Sequence, residues 1–470
     1  MRPMRTAVAH LWEEDRGERS RMMIHEKLDQ WLDEVLPEVF SEDREPTLME
    51  MSELLTRTRQ KFLGEWLGVL IQEKYAELLD QEYAPCPACG RMWKKRLDSG
   101  KELVTMQGSS KIQRPWFFCS DCSLGYSPLD EVLQVSRKKH QFDIQKKSIK
   151  LAAEVTFDRG GELFEDLTGR PLSDHFIHET FEAVGSEARI EEVLPSRAEV
   201  VERIEEASIG VWRPILVVAS DGAHLPTRPK AGRKGRRGPG QWQEAKGFRI
   251  YLLGPDQIIH VASWHQIQKE DEFGKDLALA ASRIPPEGVR IALLGDGAEW
   301  LWKHMRACFP EGREILDYYH CAEHIYKVAK VQYGEGTIDA LEWAESTITR
   351  LFFAEVKEVI AGLGRMKPRT KEAQEEIRKL IGYLQNNREK IHYRSDRKGG
   401  YPIGSGGIES ANKFISHTRL KRSGAWWIKE NGNAMLRIRC AIYNGTYDRV
   451  FDYYKCAQLN QNRVRSLKNR

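Results

Sequence analysis

Two matched stretches place the strongest constraint on how this chain can fold. Each is a continuous apolar run that ends in Asp-Gly: PILVVASDG at 214–222 and VRIALLGDG at 289–297. A short apolar run of this kind is typical of a strand that is buried on both faces of a sheet. Asp-Gly alone is also a common turn. Because the pattern occurs twice, we expect each strand to deliver a carboxylate, Asp221 and Asp296, at its carboxyl end.

The elements around these two strands occur in a recognisable order. Two strands and a helix are predicted between them, and a helix, a strand and a further helix after them. This order, β, β, β, α, β, α, β, α, is that of the RNase H-like fold, a mixed α/β sheet in which the first and fourth strands are neighbours. The sequence therefore predicts that Asp221 and Asp296 lie side by side in a core over residues 205–332. The further predicted strands are 248–253, 257–264 and 314–316, and the first helix is 273–282.

A third carboxylate, Glu409, lies in a stretch rich in glycine, basic residues and tryptophan. This stretch, residues 400–427, reads GYPIGSGGIESANKFISHTRLKRSGAWW. The glycines at 404–407 allow the backbone to pass close to a partner, and the residues after them have helix-forming composition, with Ser405 or Ser410 as the cap. Glu409 is thus predicted in the first turn of a helix. Taken alone, it would only complement the helix dipole.

The region between the second and third carboxylates is helical in pattern and highly charged. No strand signal occurs in 333–400, which predicts an all-helical insertion before the helix of Glu409. Three converging carboxylates repel one another unless cations lie between them, and hard divalent cations prefer oxygen ligands. We therefore expect Asp221, Asp296 and Glu409 to bind two Mg²⁺, with Mn²⁺ as the alternative, in a site suited to phosphodiester cleavage.

Two Cys-x-x-Cys motifs predict a structural zinc site. Cys86 and Cys89 form the first, and Cys119 and Cys122 form the second. Four cysteines at this spacing suit tetrahedral zinc, and the residues between the motifs alternate like short strands. Disulfides are the alternative, but the chain begins with no secretion signal. Residues 83–128 are therefore predicted to form a zinc ribbon.

Helices are predicted on both sides of this ribbon. The apolar residues of 1–82 recur at helical spacing, and three helical segments lie after the ribbon at 143–156, 160–167 and 173–190. The last three fit a helix-turn-helix whose third helix reads DNA, although any small helical bundle has a similar pattern. We expect residues 129–195 to form this DNA-binding segment.

Basic and aromatic residues cluster in two places. From position 411 to the end there are thirteen Lys/Arg against three Asp/Glu, and 401–470 is predicted to hold the last core helices and a basic tail. The second cluster is the loop RPKAGRKGRRG. Both clusters suit binding to a DNA backbone, although a basic loop can also be merely solvated. The paired tryptophans can stack on an unpaired base, or they can be buried in the core. The predicted DNA-binding residues are Arg233, Lys234, Arg236, Arg237, Lys413, Arg419, Lys421, Arg422, Trp426 and Trp427.

Several motifs together resemble one family of enzymes. LLGDGAEWLW, LDYYHCAEH and YPIGSGGIESANK with RLKRSGAWW after it, together with Asp221, Asp296 and Glu409, resemble the DDE transposases of bacterial insertion sequences, and look most like the ISKra-type family related to the Mutator-like group. The likeness covers roughly residues 86–448. Such enzymes hydrolyse a phosphodiester at each transposon end, and the exposed 3′-hydroxyl then attacks target DNA.

This resemblance implies further roles. The three carboxylates would be the Mg²⁺ ligands, and relatives carry a Cys or Asp, two residues and a His between the second and third. Here Asp317-x-x-His320 and Cys321-x-x-His324 both match. We expect the first pair to act, because it comes directly after the last strand; a core or capping role is the alternative.

The resemblance and the composition also bear on partners and location. The expected partner is double-stranded DNA, at transposon ends and targets, bound by a homodimer or a larger assembly. With no signal peptide and no run of 18 apolar residues, we expect a cytoplasmic protein that joins the bacterial nucleoid when it binds DNA. The competing functions are a catalytically inactive DNA-binding derivative of a transposase and an RNase H-like nuclease.

Overall fold

The chain divides into two compact units. A computed structural model describes residues 3–40, 45–210, 213–231, 238–254 and 257–464. One unit contains the chain up to Ala183 together with the chain from Phe451 onward, and the other contains Val184–Val450. Among the described residues, no helix combines the length and the apolar character that crossing a bilayer requires.

The first unit starts with long helices and continues into small antiparallel sheets. Thr47 caps the second helix, where its hydroxyl accepts from the backbone N–H of Glu50 and the Glu50 carboxylate accepts from the backbone N–H of Thr47. Of the strands after these helices, β1 pairs with β2, and β3, β4 and β5 form a three-stranded sheet. The elements are α1 (Pro3–Val39), α2 (Leu48–Lys74), α3 (Ala76–Leu79), β1 (Tyr83–Pro85), β2 (Met92–Lys94), β3 (Leu97–Thr105), β4 (Gly108–Cys119) and β5 (Leu124–Tyr126).

Six short helices, α4 to α9, follow β5 in the sequence. The three helices predicted for a helix-turn-helix correspond to α5, α6 and α7. The first of the three ends at Ala152 and not at position 156, because the Thr156 hydroxyl accepts from the backbone N–H of Arg159 and so starts the next helix. The reading of DNA by these helices stays a prediction. The group is α4 (Pro128–Val132), α5 (Phe142–Ala152), α6 (Phe157–Thr168), α7 (Asp174–Glu187), α8 (Ile190–Val193) and α9 (Arg197–Ala207).

A five-stranded mixed sheet forms the centre of the second unit. Its order is β10-β9-β6-β7-β8, in which β9 runs parallel to β6 and β10 while β7 is antiparallel to β6 and β8. β9 is buried over most of its length, as its apolar run predicted. The elements are β6 (Ile215–Thr227), β7 (Gln241–Leu253), β8 (Ile258–Ile267), α10 (Glu270–Ala281), β9 (Arg290–Gly295), α11 (Glu299–Cys308), β10 (Arg313–Leu316) and α12 (Tyr318–Tyr333).

The first strand of this sheet is longer than its sequence pattern indicates. The pattern predicts an end at Asp-Gly, but β6 continues for five residues beyond Gly222, paired with β7. The pairing of β6 with β9 ends earlier than its pairing with β7, since the last residue pair joins Ala219 to Leu294. Asp221 therefore lies where the parallel pairing stops and a two-stranded hairpin begins, rather than at the end of a strand.

Helices complete the second unit after the sheet. The region predicted as an all-helical insertion contains helices and no strand among its described residues, 333–400. Glu409 lies in a short helix that runs into a π-helical segment, Asn412–His417, whose Phe414 and Ile415 carbonyls accept from the Arg439 guanidinium at 2.8 and 3.0 Å. These helices are α13 (Ile338–Phe352), α14 (Val356–Arg365), α15 (Lys371–Asn387), α16 (Tyr393–Lys398), α17 (Gly406–Ala411), α18 (Thr418–Leu420) and α19 (Lys429–Asn444); 3₁₀ turns lie at Pro286–Gly288 and Arg388–Lys390. The last helix, α20 (Tyr447–Val464), belongs mostly to the first unit, which holds the chain from Phe451 onward.

Candidate active site and metal centre

Three aspartates align at one edge of the five-stranded sheet. The parallel register pairs Ala219 with Leu294 and Gly295 with Leu316. Two residues further along the first register, Asp221 lies beside Asp296. One residue further along the second, Asp317 lies on the other side of Asp296. The backbone N–H of Asp317 donates to the Gly295 carbonyl at 2.9 Å, which holds the third aspartate beside the second. Parallel pairing thus gathers carboxylates from three separate segments of the chain.

The surroundings of Asp221 shift the pKa of its carboxyl. Burial, together with the nearby charges of Asp296 and Glu409, raises its pKa to about 6, while the backbone N–H of Gly222 and the neighbouring His320 oppose the shift. One oxygen accepts from the Gly222 N–H at 2.7 Å, and the other accepts from the Asn412 side-chain amide at 2.8 Å. Asp296 and Glu409 therefore lie close enough to Asp221 to act on it electrostatically, and the role of the three as metal ligands stays a prediction.

Asp296 is held by its own loop and by the helical insertion. Its carboxylate accepts from the backbone N–H of Ala298 at 2.9 Å, and its carbonyl accepts from the Tyr383 hydroxyl at 2.9 Å. Burial raises the pKa of Tyr383 far above its usual value, so this hydroxyl keeps its proton and remains a donor. The insertion, through α15, thus contributes to the position of Asp296.

Glu409 is positioned by a relay that begins at Asp317. The Asp317 carboxylate, which is 1% exposed, accepts from the backbone N–H of His320 at 2.7 Å and from the backbone N–H of Ser405. The Ser405 hydroxyl in turn donates to the Glu409 carboxylate at 2.7 Å. The sequence predicted Ser405 or Ser410 as the helix cap; Ser405 does occupy the N-cap position, but its hydroxyl orients Glu409 and makes no capping hydrogen bond. This geometry suits Asp317 to positioning the third carboxylate.

The two overlapping Asp/Cys-x-x-His matches lie in different surroundings. His320 is partly exposed and lies close enough to Asp221 to lower the pKa of that carboxyl. Cys321 is 1% exposed, and burial raises the pKa of its thiol to about 12. The His324 ring lies 4.4 Å from the Tyr383 ring and 5.0 Å from the His320 ring. Burial lowers the pKa of His324, and the charge of Asp296 opposes this shift, so both histidines lie near the carboxylates, His320 beside Asp221 and His324 beside Asp296. Buried Cys321 is the member of the two pairs that the placement disfavours.

The glycine loop before Glu409 passes against aromatic rings of the same chain. A Cβ at Gly404 would lie 2.5 Å from the Tyr319 ring, and a Cβ at Gly407 would lie 2.6 Å from the Tyr251 ring. The Gly407 carbonyl also accepts from the Arg249 guanidinium at 2.6 Å. The close partners of the glycine loop are thus Tyr319 of α12 and Tyr251 of β7, which explains why small residues precede Glu409.

The predicted DNA-binding residues divide by exposure. Lys413, Lys421, Arg422 and Trp426 are exposed. Trp427 is 9% exposed and Arg419 is 4% exposed, with the Arg419 guanidinium carbon 4.9 Å from the Trp427 ring centroid. This buried pair packs within the unit and presents little surface to a partner, in contrast to the contact role expected for both. Arg233, Lys234, Arg236 and Arg237 lie outside the described residues.

The four predicted zinc ligands lie together in the first unit. The sulfur atoms of Cys86, Cys89, Cys119 and Cys122 all lie within 4.8 Å of one another, so they could hold a zinc ion. The backbone N–H of Ala88 donates to the Cys86 sulfur at 3.4 Å, and that of Cys122 donates to the Cys119 sulfur at 3.3 Å. Backbone donors of this kind stabilise thiolates, the form that binds zinc. The prediction of a four-cysteine cluster is confirmed.

Comparison with known proteins matches only the later part of the chain. A family model described as an uncharacterised protein family, UPF0236, matches residues 285–455. The matched range includes Asp296, Asp317 and Glu409 but neither Asp221 nor the four cysteines. No curated protein matches the chain.

Replacing a zinc-ligand cysteine should abolish metal binding. We expect the wild-type protein to contain one zinc ion per chain and the Cys89→Ser variant to contain almost none, because three thiolates hold zinc much more weakly than four. Metal content is measured by mass spectrometry after gel filtration. Cys456→Ser is the control, since that exposed cysteine lies in the same unit outside the cluster. Equal zinc content in the two variants would contradict the assignment.

Two adjacent glycines offer a matched test of the close approach to Tyr251. Gly407→Ala is expected to reduce the free energy of unfolding by about 1–3 kcal/mol, because the added methyl group overpacks against the ring. Gly406→Ala should change it by less than about 1 kcal/mol, since nothing lies within 4 Å of its Cβ position. Urea unfolding measures both. Equal effects would show that backbone conformation, and not the ring, requires these glycines.

Asp221→Asn should remove a pH-dependent part of the stability. The folded protein keeps a proton on Asp221 up to about pH 6, whereas the unfolded chain, with a pKa of 3.8, loses it earlier. In metal-free buffer the wild-type free energy of unfolding therefore falls as pH rises from about 4 through about 6. We expect the variant to be more stable than the wild type by about 1–2 kcal/mol at pH 8 and equally stable near pH 4.

Urea unfolding across this pH range provides the measurement, with Asp339→Asn as control. Asp339 is an exposed aspartate in the first turn of α13. If both variants keep the wild-type difference between pH 4 and pH 8, Asp221 does not hold the raised pKa.

Proposed function

We propose that this protein is a DDE transposase, which cleaves DNA at transposon ends and transfers the exposed strand into target DNA. The observation that carries the proposal is the convergence of Asp221, Asp296 and Glu409 at one sheet edge, where burial and the charges of Asp296 and Glu409 raise the pKa of Asp221. Groups with strongly shifted pKa values in an accessible cluster are candidates for chemistry. A purely structural role would not require three like charges to be brought together.

The arrangement of the second unit supports an RNase H-like core. Its elements occur in the order β6, β7, β8, α10, β9, α11, β10, α12, and β6 and β9, the first and fourth strands, are neighbours. Both features agree with the order expected from the sequence. In the sequence, the helices after α12 come between the core strands and Glu409, which is where an insertion in this fold would occur.

The donor set of the site fits divalent cations. Carboxylate oxygens are the ligands that Mg²⁺ prefers. Among the described residues, the three carboxylates do not form a set within 4.8 Å of one another, as the four thiols do. Ligands of two separate ions about 3.5–4 Å apart are expected to be spread more widely than ligands of one ion. Asp221, Asp296 and Glu409 would hold the ions, with Asp221, on which the charges of both of the others act, at the centre of the set.

The proposed reaction has two steps on phosphorus. In the first, a water oxygen bonds to phosphorus, the bond to the 3′-oxygen breaks, and that oxygen leaves as a hydroxyl after it gains a proton. In the second, this 3′-hydroxyl attacks a target phosphodiester and displaces its 3′-oxygen. Bound Mg²⁺ would activate the nucleophile and stabilise the leaving oxygen.

The chain's own residues hold this site in place. The Gly222 N–H and the Asn412 amide orient Asp221, while Asp317 and Ser405 orient Glu409. His320, partly exposed beside the carboxylates, is placed to contact the phosphate or the proton that leaves the water. Positioned groups of this kind reduce the entropy lost on the way to the transition state.

Exposed basic residues lie downstream of Glu409 and suit a DNA backbone. Lys413, Lys421 and Arg422 lie within 13 residues of it and are exposed. Neutralising phosphates with such side chains releases counterions and gives salt-dependent binding. The proposed partners are transposon ends and target DNA, bound by a dimer or larger assembly in the bacterial cytoplasm.

Cleavage of DNA that carries the element's ends tests the proposal. In Mg²⁺, we expect the wild-type protein to produce cut ends and joined strand-transfer products, and Asp296→Asn to reduce cleavage at least about 100-fold through loss of a metal ligand. Chelation should abolish the reaction. Asp271→Asn, an exposed aspartate in the first turn of α10, is the control.

The outcomes separate the competing functions. Cleavage by Asp296→Asn at the wild-type rate would refute the catalytic assignment. Cutting without any joined product would favour an RNase H-like nuclease, whereas DNA binding without cutting would favour an inactive derivative.

A further inference from the structure

Two exposed tryptophans meet at the hairpin end of β6 and β7. Trp242, the second residue of β7, is 58% exposed, and Trp426 is 39% exposed. Their ring centroids lie 6.4 Å apart, with an interplanar angle of 63°. The sequence pointed to Trp426 together with Trp427, but the ring that accompanies Trp426 at the surface belongs to a residue 184 positions earlier in the chain.

This pair is held in place by the backbone. The N–H of Arg228 donates to the Trp427 carbonyl at 2.8 Å, and the N–H of Trp427 donates to the Pro226 carbonyl at 3.0 Å. Trp427 itself is buried, which anchors its neighbour. The Trp426 ring lies against Gly240, where a Cβ would be only 2.3 Å from it. The exposed indole is therefore preorganised, which reduces the entropy lost when a ligand binds.

One positive charge lies beside the pair. The Arg228 guanidinium carbon lies 5.9 Å from the Trp426 ring centroid, and its buried Nε has no hydrogen-bond partner among the described residues. Positions 228–237 of the sequence contain six Lys/Arg and no Asp/Glu. A ligand for this surface therefore combines negative charge with a flat aromatic face. Nucleic acid has both features.

We propose that Trp242 and Trp426 form a stacking site for one unpaired base of DNA, with Arg228 beside it to contact the backbone. Tryptophan rings bind bases of any sequence through their faces, and nearby arginine adds attraction to phosphate. A paired base within a duplex cannot enter such a site, because its faces are already stacked. The site thus selects DNA that is flipped, bulged or single-stranded.

Strand β6 connects the three carboxylates with the tryptophan pair, so its length gives the distance between the two sites. Asp221 and Thr227 belong to the same strand, β6, and Thr227 bridges to Trp427. Six residues of strand extend about 20 Å, and successive nucleotides rise about 3.4 Å, so the stacked base lies roughly six nucleotides from the phosphate that is cut. This spacing rests on the proposed function, whereas the stacking itself does not.

Fluorescence of 2-aminopurine tests the inference without cleavage. Full-length protein is titrated, without Mg²⁺, into a duplex that carries one unpaired 2-aminopurine and into the fully paired duplex. We expect quenching of the unpaired base on binding, and tighter binding of that duplex. Trp426→Ala and Trp242→Ala should each weaken binding of the bulged duplex roughly tenfold and reduce the quenching, with little effect on the paired duplex.

Controls separate stacking from folding and from other surface rings. Trp426→Phe keeps an aromatic face and should retain most of the preference. Phe353→Ala removes another exposed ring beneath an arginine, Arg394 at 4.9 Å, and should behave as wild type. If the Trp426→Ala variant binds both duplexes like the wild type, or loses both equally, the stacking site is refuted; a role for the pair in binding protein would remain.

The position of the unpaired base supplies a second readout. Moving it to three, six or nine nucleotides from the cleavage position should give the largest preference at about six. If the preference exists but no cleavage occurs with Mg²⁺, the stacking site stands and the proposed function fails. If the DNA is cleaved but the protein shows no preference for the bulged duplex, the proposed function stands and the stacking site is refuted.

Discussion

Parallel pairing of β9 with β6 and β10 is the constraint on which the candidate site depends. Each of these strands begins in a different part of the sequence, and only their common direction brings Asp221, Asp296 and Asp317 to one edge. Such an arrangement concentrates negative charge where burial already disfavours it. Backbone N–H groups and the Asn412 amide offset part of that cost, and the remaining charge is what makes the edge suited to cations.

Much of this arrangement could be predicted because its signals are local. A buried strand needs an unbroken apolar run, so Asp221 and Asp296 were visible in the sequence. Zinc ligands must be spaced so that a short loop can carry two thiolates to one ion, which made the four cysteines equally visible. The charged helical region before Glu409 showed helical periodicity over many turns.

The features that the sequence did not reveal depend on contacts between distant residues. The extension of β6 to Thr227 has no unbroken apolar run and contains a proline, and it forms a strand only because β7 pairs with it over its full length. Trp242 has no local signal that links it to Trp426. Arg419 resembles its basic neighbours by residue type, yet it is buried on Trp427, because burial is decided by tertiary packing rather than by polarity alone.

The π-helical segment after Glu409 has a consequence for how the catalytic and basic parts face one another. A π-helical turn takes up one residue more than an α-helical turn, which rotates the later residues by about 100° around the helix axis. Lys421 and Arg422 therefore point in a direction set by Asn412–His417 and by the Arg439 guanidinium that binds its carbonyls. If the proposed DNA partner binds, the rotation of this segment, as much as its length, would decide where the chain beyond Glu409 meets the phosphate backbone.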